Sequence, residues 1–131
     1  MTDETGQRSY HGEVDFTVVS VSPDQAEGRM ALAPAMLNPF GSVHAGAMIW
    51  FADVVATRLV LQGRPVTAGM SGFPLAINLV ANLLSNTDRD ALVATARFVK
   101  RGRTLSTVRT VVATEAGRPL VEVTTTHLLS R

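Results

Sequence analysis

The sequence predicts an α+β fold, with a curved antiparallel sheet of about six strands wrapped around one long central helix. Three observations carry that prediction. From Ala45 to Gln62 the chain reads as helix without a proline, and before Gln62 its only clearly polar side chains are Asp53, Thr57 and Arg58. A helix apolar nearly all round is a buried helix. The flanking segments are rich in β-branched residues, and in one of them Leu92, Ala94, Ala96 and Phe98 alternate with Val93, Thr95, Arg97 and Val99, the period of a sheet with one face on a core. The runs after the helix are joined by short turn-like clusters, which predicts an antiparallel meander. Two layers bury the helix on one side only, so its remaining apolar face calls for a second subunit as cover.

The elements follow in order. Residues 1–12 read as a flexible polar tail and 13–131 as a single domain, the length being enough for one real core. Val14 to Val21 is strand-like, Ser22-Pro23-Asp24-Gln25 supplies a turn, and Ala26 to Leu32 is its hairpin partner. Pro34, Pro39 and Gly41 make Ala33 to Val43 a loop. The helix stops at Gly63, which tolerates positive φ, with Pro65 soon after. Four strand-like runs close the chain: Phe73 to Leu84, Ala91 to Lys100, Thr104 to Thr114 and Leu120 to Leu129.

Composition removes several function classes. Twelve basic residues against eleven acidic ones leave a net charge of +1, with no basic stripe interleaved with aromatics, so nucleic acid is not an expected partner. The absence of cysteine excludes disulfides, thiolate metal sites and a cysteine nucleophile. His11, His44 and His127 are too scattered to suggest a metal site. The apolar run from Met48 to Leu61 is interrupted by Asp53 and Arg58 and too short to span a bilayer, and the polar N-terminus has no signal-peptide core. A soluble, unprocessed, cytoplasmic protein without metal is the expectation.

The most informative stretch is Asn38-Pro39-Phe40-Gly41-Ser42-Val43-His44-Ala45-Gly46-Ala47, running into Met48-Ile49-Trp50-Phe51-Ala52-Asp53. It sets a carboxylate inside an apolar helix. An ionised carboxylate without a partner is costly to bury, so Asp53 must be hydrogen-bonded, neutralised, or lining a cavity that water or substrate enters. A catalytic acid or base would be arranged in this way.

The element order and the spacing Asn38-x5-His44-x-Gly46 with Asp53 nine positions after the histidine resemble the hotdog-fold acyl-CoA thioesterases. The likeness is to the phenylacetate-pathway branch of the 4-hydroxybenzoyl-CoA thioesterase superfamily, over roughly residues 13–129. The chain departs from that motif at Ala45, where a glycine is usual. A Ser or Thr that assists the carboxylate in some relatives aligns with Ala76, with Ser71 as a substitute. The resemblance implies hydrolysis of an acyl- or aryl-CoA thioester, coenzyme A being part of the substrate and no other cofactor or metal being needed. It implies long helices antiparallel across a homodimer interface, sites shared between chains, and dimers pairing into a tetramer.

Each residue then has an implied role. The helix N-terminus presents unpaired N–H groups where an oxyanion would be stabilised, so the Ala45 N–H, with Gly46 beside it, holds the thioester oxygen. Asp53 activates water as a general base or attacks the thioester carbon itself. Asn38 orients the water, or is only a turn residue before Pro39; His44 fixes the loop or polarises the thioester. Trp50 lines an acyl pocket or packs in the core. Thr57 touches substrate or bonds back to the helix. Lys100-Arg101-Gly102-Arg103 is a solvated hairpin tip or, through Arg101 and Arg103, a binding point for the nucleotide phosphates. Two competing functions remain. A hydratase or dehydratase of the same fold uses Asn/Asp-Pro-x-His, and here His44 falls three residues too late. A non-catalytic acyl-CoA-binding protein keeps the pocket without the chemistry.

Overall fold

A computed structural model describes residue 6 and residues 9–131 of the chain. The expected tail lies partly outside these residues. Six strands and one helix follow in the order β1 (Thr17–Val21), β2 (Gln25–Met30), α1 (Ala45–Leu61), β3 (Pro74–Leu83), β4 (Leu92–Lys100), β5 (Leu105–Thr114) and β6 (Pro119–Leu129). A single 3₁₀ turn, Pro34–Met36, interrupts the loop before α1. The strands form one antiparallel sheet in the order β1-β2-β4-β5-β6-β3. This sheet curves around α1, which is the hotdog fold.

The meander holds only for β4, β5 and β6. Instead of pairing with β4, strand β3 crosses to the far edge and pairs with β6, while β4 pairs with β2. The connection between β3 and β4 is tethered elsewhere. Asn86 accepts from the Val43 N–H at 3.1 Å and donates to the Val43 carbonyl at 2.8 Å, and the Val43 N–H also reaches the Thr87 carbonyl at 3.2 Å. A short linker therefore spends its hydrogen bonds on the chain entering α1 rather than on a hairpin.

The core lies between α1 and the concave face of the sheet. Met48, Phe51, Ala52, Val55, Ala56 and Leu59 of α1 are fully buried against Ala94 and Ala96 of β4, Val108 and Val112 of β5, and Val121 and Val123 of β6. The alternation expected for β4 is kept, with Leu92, Ala94 and Ala96 inward. Gly28 on β2 shows how close the layers come: a Cβ there would stand 2.7 Å from Val55 Cγ2 and 2.8 Å from Phe51 Cε1. At the end of α1 the left-handed residue is Gln62 itself (φ 52°), one before the expected stop, with Gly63 also at positive φ. Gln62 tolerates it because its amide donates to the carbonyls of Leu59 and Ser22.

Candidate active site

The loop entering α1 is built by its own polar side chains. Asn38 Oδ1 accepts from the N–H groups of Phe40 (2.9 Å) and Ser42 (3.2 Å), and Asn38 Nδ2 donates to Ser42 Oγ at 2.9 Å. These bonds, with Gly41 at positive φ, close the turn. Asn38 thus builds this turn, and one of its amide hydrogens has no acceptor among the described residues. His44 then caps α1: its backbone is extended, and its Nδ1 accepts from the Gly46 N–H at 3.1 Å. The cap explains Gly46, where a Cβ would come within 3.3 Å of that nitrogen. Because the Gly46 N–H is spent on His44 and the Ala47 and Met48 N–H groups reach the His44 carbonyl, the Ala45 N–H is the donor left without a partner in the first turn among the described residues.

Asp53 sits in the middle of α1, on the side turned away from the sheet's centre. It opens on a mainly apolar cavity of about 350 Å³ whose helix wall is Asp53, Val54, Thr57, Arg58 and Leu61. The opposite wall is Val66, Phe73 and the first residues of β3, Pro74 to Ala76. Asp53 Oδ1 is buried and no donor of the described residues reaches it. A buried carboxylate oxygen left unpaired costs free energy on the order of 1–3 kcal/mol or more, so the position is not one that stability alone would select. Behind the β3 wall lies His127, fully buried on β6. Burial holds its imidazole below the usual histidine range, opposed by the Pro74 carbonyl and the negative charge of Asp53.

A second cavity, about 320 Å³, lies past the C-terminal end of α1 and is basic, with Arg64, Arg101 and Arg103 among its walls. Arg64 Nε donates to the Leu61 carbonyl at 3.0 Å, covering the negative end of the helix. The Arg101 guanidinium lies 5.3 Å from the centre of the Phe98 ring.

The structure therefore brings some predicted residues together and separates others. Asp53, Thr57 and Ala76 share one cavity. Asn38, His44, Ala45 and Gly46 sit at the other end of α1, and the eight residues from Ala45 to Asp53 span about 12 Å along the axis. Ser71 is in the exposed loop before β3 and does not line the Asp53 cavity. Neither does Trp50, which is 50% exposed; its ring stands edge-on to Phe16 at 4.8 Å. Three residues before Asp53 on a helix is a rotation of about 60° around the axis, enough to point Trp50 toward the first strand. Arg101 and Arg103 do share a cavity, and Arg64 joins them. Arg58, Arg64 and His127 were not anticipated. Arg58 is one turn past Val54, and His127 continues the inward series Val121, Val123, Thr125, so the helical and sheet periods carried signals for both.

A family model described as a domain of unknown function, DUF4442, matches residues 6–128. The chain belongs to this family. No curated relative matches the sequence. Solved structures similar to this DUF4442 chain include a thioesterase from Haemophilus influenzae, 18% identical over 87% of this chain and 77% of its own, with a TM-score of 0.76. A Streptococcus mutans protein bound to acetyl-CoA is 19% identical over 88% of this chain and 89% of its own, TM-score 0.77. A hypothetical thioesterase with coenzyme A from Streptococcus pneumoniae is 15% identical over 93% and 94%, TM-score 0.77. At these identities the likeness establishes the hotdog fold. No helix of the described residues is long and apolar enough to cross a membrane, and no three His, Cys, Asp or Glu among them are grouped as metal ligands.

Proposed function

We propose that this chain is an acyl-CoA thioesterase of the phenylacetate-pathway type, hydrolysing an acyl- or aryl-CoA thioester to the free acid and coenzyme A in the cytoplasm. The observation that carries the proposal is the orphaned Oδ1 of Asp53, buried beside an apolar cavity. A carboxylate kept without an internal donor, next to space for an acyl group, is a base waiting for a proton source. Hotdog neighbours named as thioesterases, one of them with coenzyme A, and a further neighbour bound to acetyl-CoA support the same reading.

In this reading Asp53 takes a proton from water, and the hydroxide adds to the thioester carbon. The open Ala45 N–H, at the positive end of a helix, stabilises the oxyanion. Collapse breaks the C–S bond, and the proton held by Asp53 passes to the leaving thiolate. Direct attack by Asp53, giving a mixed anhydride that water opens, uses the same groups. Because Ala45 and Asp53 of one helix are about 12 Å apart, they act across a homodimer in which antiparallel helices bring one protomer's Ala45 to its partner's Asp53. Two such dimers pair into a tetramer. The uncovered β3 edge supports this assembly: Ile77, Val80 and Leu83 are more than half exposed, and Leu75 and Leu79 are exposed as well. An apolar edge strand of this length invites a partner. The phosphates of coenzyme A go to Arg101 and Arg103, with Arg64 beside them.

A panel of aryl-acetyl, benzoyl and straight-chain acyl-CoA thioesters, read by free-thiol release, tests the proposal. The wild type should hydrolyse at least one, and Asp53→Asn should lose about 10²–10⁴ in rate, the usual worth of a general base, while staying folded. Release from none of them, or full activity in the variant, contradicts the assignment.

A further inference from the structure

The inward face of β6 changes character along its length. Val121 and Val123 are apolar, and then Thr125 and His127 are both fully buried and polar, at the end of the strand that lies under the Asp53 cavity. His127 Nε2 is 2.8 Å from Thr125 Oγ1, and its Nδ1 faces the Pro74 carbonyl at 3.4 Å. Pro74 is the first residue of β3 and part of the cavity wall opposite Asp53.

The hydrogen-bond partners fix the tautomer. A carbonyl oxygen only accepts, so the nitrogen facing Pro74 carries the hydrogen; Nε2 is then the acceptor, and the Thr125 hydroxyl donates to it. The same spot is where β3 loses regularity. The register with β6 shifts between Ala76 and Asn78, directly after the Ala76 and His127 pair. A bulge of this kind re-aims the side chains around it. Proline has no N–H for the ladder, and the Leu75 N–H folds back on the Phe73 carbonyl at 3.0 Å. The wall pairs with β6 up to the bulge, and further bonds tie it down: Ser130, just past β6, holds Phe73 at 2.9 Å through its hydroxyl and at 2.8 Å through its N–H, and His127 holds Pro74.

We propose that His127 is a positioning residue, whose Nδ1–H pins Pro74 and so fixes the β3 wall of the acyl cavity at its working distance from Asp53. The role in turnover rests on the thioesterase reading above; the pinning of the wall does not. A buried histidine that served only to fill the core would be replaceable by any side chain of similar volume. A pinning histidine is replaceable only by one that keeps the donor at the δ position. Asn keeps it, since its amide nitrogen branches from the same carbon as Nδ1. Gln reaches Thr125 instead, and Leu keeps volume alone. The charged group of α1 facing the ring is Asp53, whose negative charge favours a proton on it; burial works in the opposite sense and keeps the ring neutral.

Three substitutions in the full-length chain separate the two roles: His127→Asn, His127→Gln and His127→Leu. With the best thioester found, His127→Asn should keep kcat within about threefold, while His127→Gln and His127→Leu lose about 10–100-fold in kcat with KM changed by less than about threefold, as expected when reacting groups are misplaced rather than unbound. Equal kcat in all three variants would overturn the proposal. Two readouts do not depend on hydrolysis. Long-range ¹H–¹⁵N NMR of the wild type should show His127 protonated at Nδ1 and bare at Nε2. Amide exchange at Leu75, Ala76 and Ile77 should quicken in His127→Gln and not in His127→Asn, relative to β5 amides. The opposite tautomer, or exchange that does not separate Asn from Gln, also overturns it. Should the wild type hydrolyse no thioester, these two measurements still decide the pinning while the functional reading fails by itself.

Discussion

Strands β4 and β3 lie in one sheet and are similarly apolar, yet they are buried in opposite ways. Strand β4 sits in the middle, between β2 and β5, and every second side chain from Leu92 to Ala96 is fully buried under α1. Strand β3 is an edge, paired only with β6, and beyond Pro74 it is exposed on both faces apart from the half-buried Ala81. The residues of β4 are accounted for by one chain, and those of β3 are not. Asp53 and its cavity lie on the β3 side. The side chains that fill the core and those exposed along β3 are thus different sets, so substitutions in the first should chiefly change stability and in the second should change assembly and turnover.

The sharpest contrast comes from truncating an apolar residue on each side. Phe51 is fully buried and touches Phe16 ring to ring at 5.0 Å between centroids. Phe51→Ala should cost about 3–5 kcal/mol in denaturant unfolding. Ile77, 57% exposed, should tolerate Ile77→Asp with less than about 1 kcal/mol lost from the fold of one chain, while sedimentation shows the assembly dissociating at concentrations where the wild type is paired. A wild type that is monomeric at all concentrations would break the comparison. So would an Ile77→Asp chain that unfolds.

A smaller effect should appear in acid. His127 is buried with its proton affinity lowered, chiefly by burial. Below the ordinary histidine value of about 6.5, the unfolded chain takes up a proton that the folded chain refuses. Stability is present in full above that value and is lost as the pH falls through the lower folded one. Comparing His127→Asn with the wild type at pH 7.5 and 5.5 should show a smaller loss on acidification in the variant; equal slopes would mean that the buried ring does not set the acid limb.

The mildest prediction concerns the basic cavity. Replacing Arg101 and Arg103 together by Ala should raise KM for an acyl-CoA severalfold and weaken its dependence on salt, leaving a pantetheine thioester without the nucleotide nearly unchanged. Equal effects on both substrates would point to damage at the β4–β5 hairpin, where a side chain at Gly102 would collide with the Leu105 backbone.

Much of the fold was legible because it is local. The helix ends within one residue of the expected position, and β4 follows the period of two along its length. The pairing of β3 was not legible, since nothing in its own residues distinguishes β4 from β6 as a neighbour. In the folded chain the β3–β4 connection is tied by Asn86 and Thr87 to Val43, 43 residues away for Asn86, a contact that no local pattern announces. At the site, Asp53 announces itself as a carboxylate in an apolar helix, and the helix N-terminus as a place for an oxyanion. The division of labour there needed geometry: His44 takes the Gly46 N–H as a cap and leaves Ala45's, and Asn38 spends most of its amide on its own turn. His127 was visible as the fourth member of an inward series, but its contact with Pro74 depends on a strand pairing that the chain does not spell out.

The central claim is that one protomer supplies the Ala45 N–H and its partner supplies Asp53. Ala45→Pro deletes that single N–H at the first helical position, where proline is tolerated, and His44 already has the extended backbone that a following proline requires. Asp53→Asn removes the base at nearly constant shape. Each variant alone should be inactive, and the two should be unfolded and refolded together, with chain exchange verified by differently tagged protomers. With random pairing about half the dimers are mixed and half of their sites are intact, so activity should return to about a quarter of wild type if the sites act independently. Verified mixed dimers with no recovered activity would contradict the shared site.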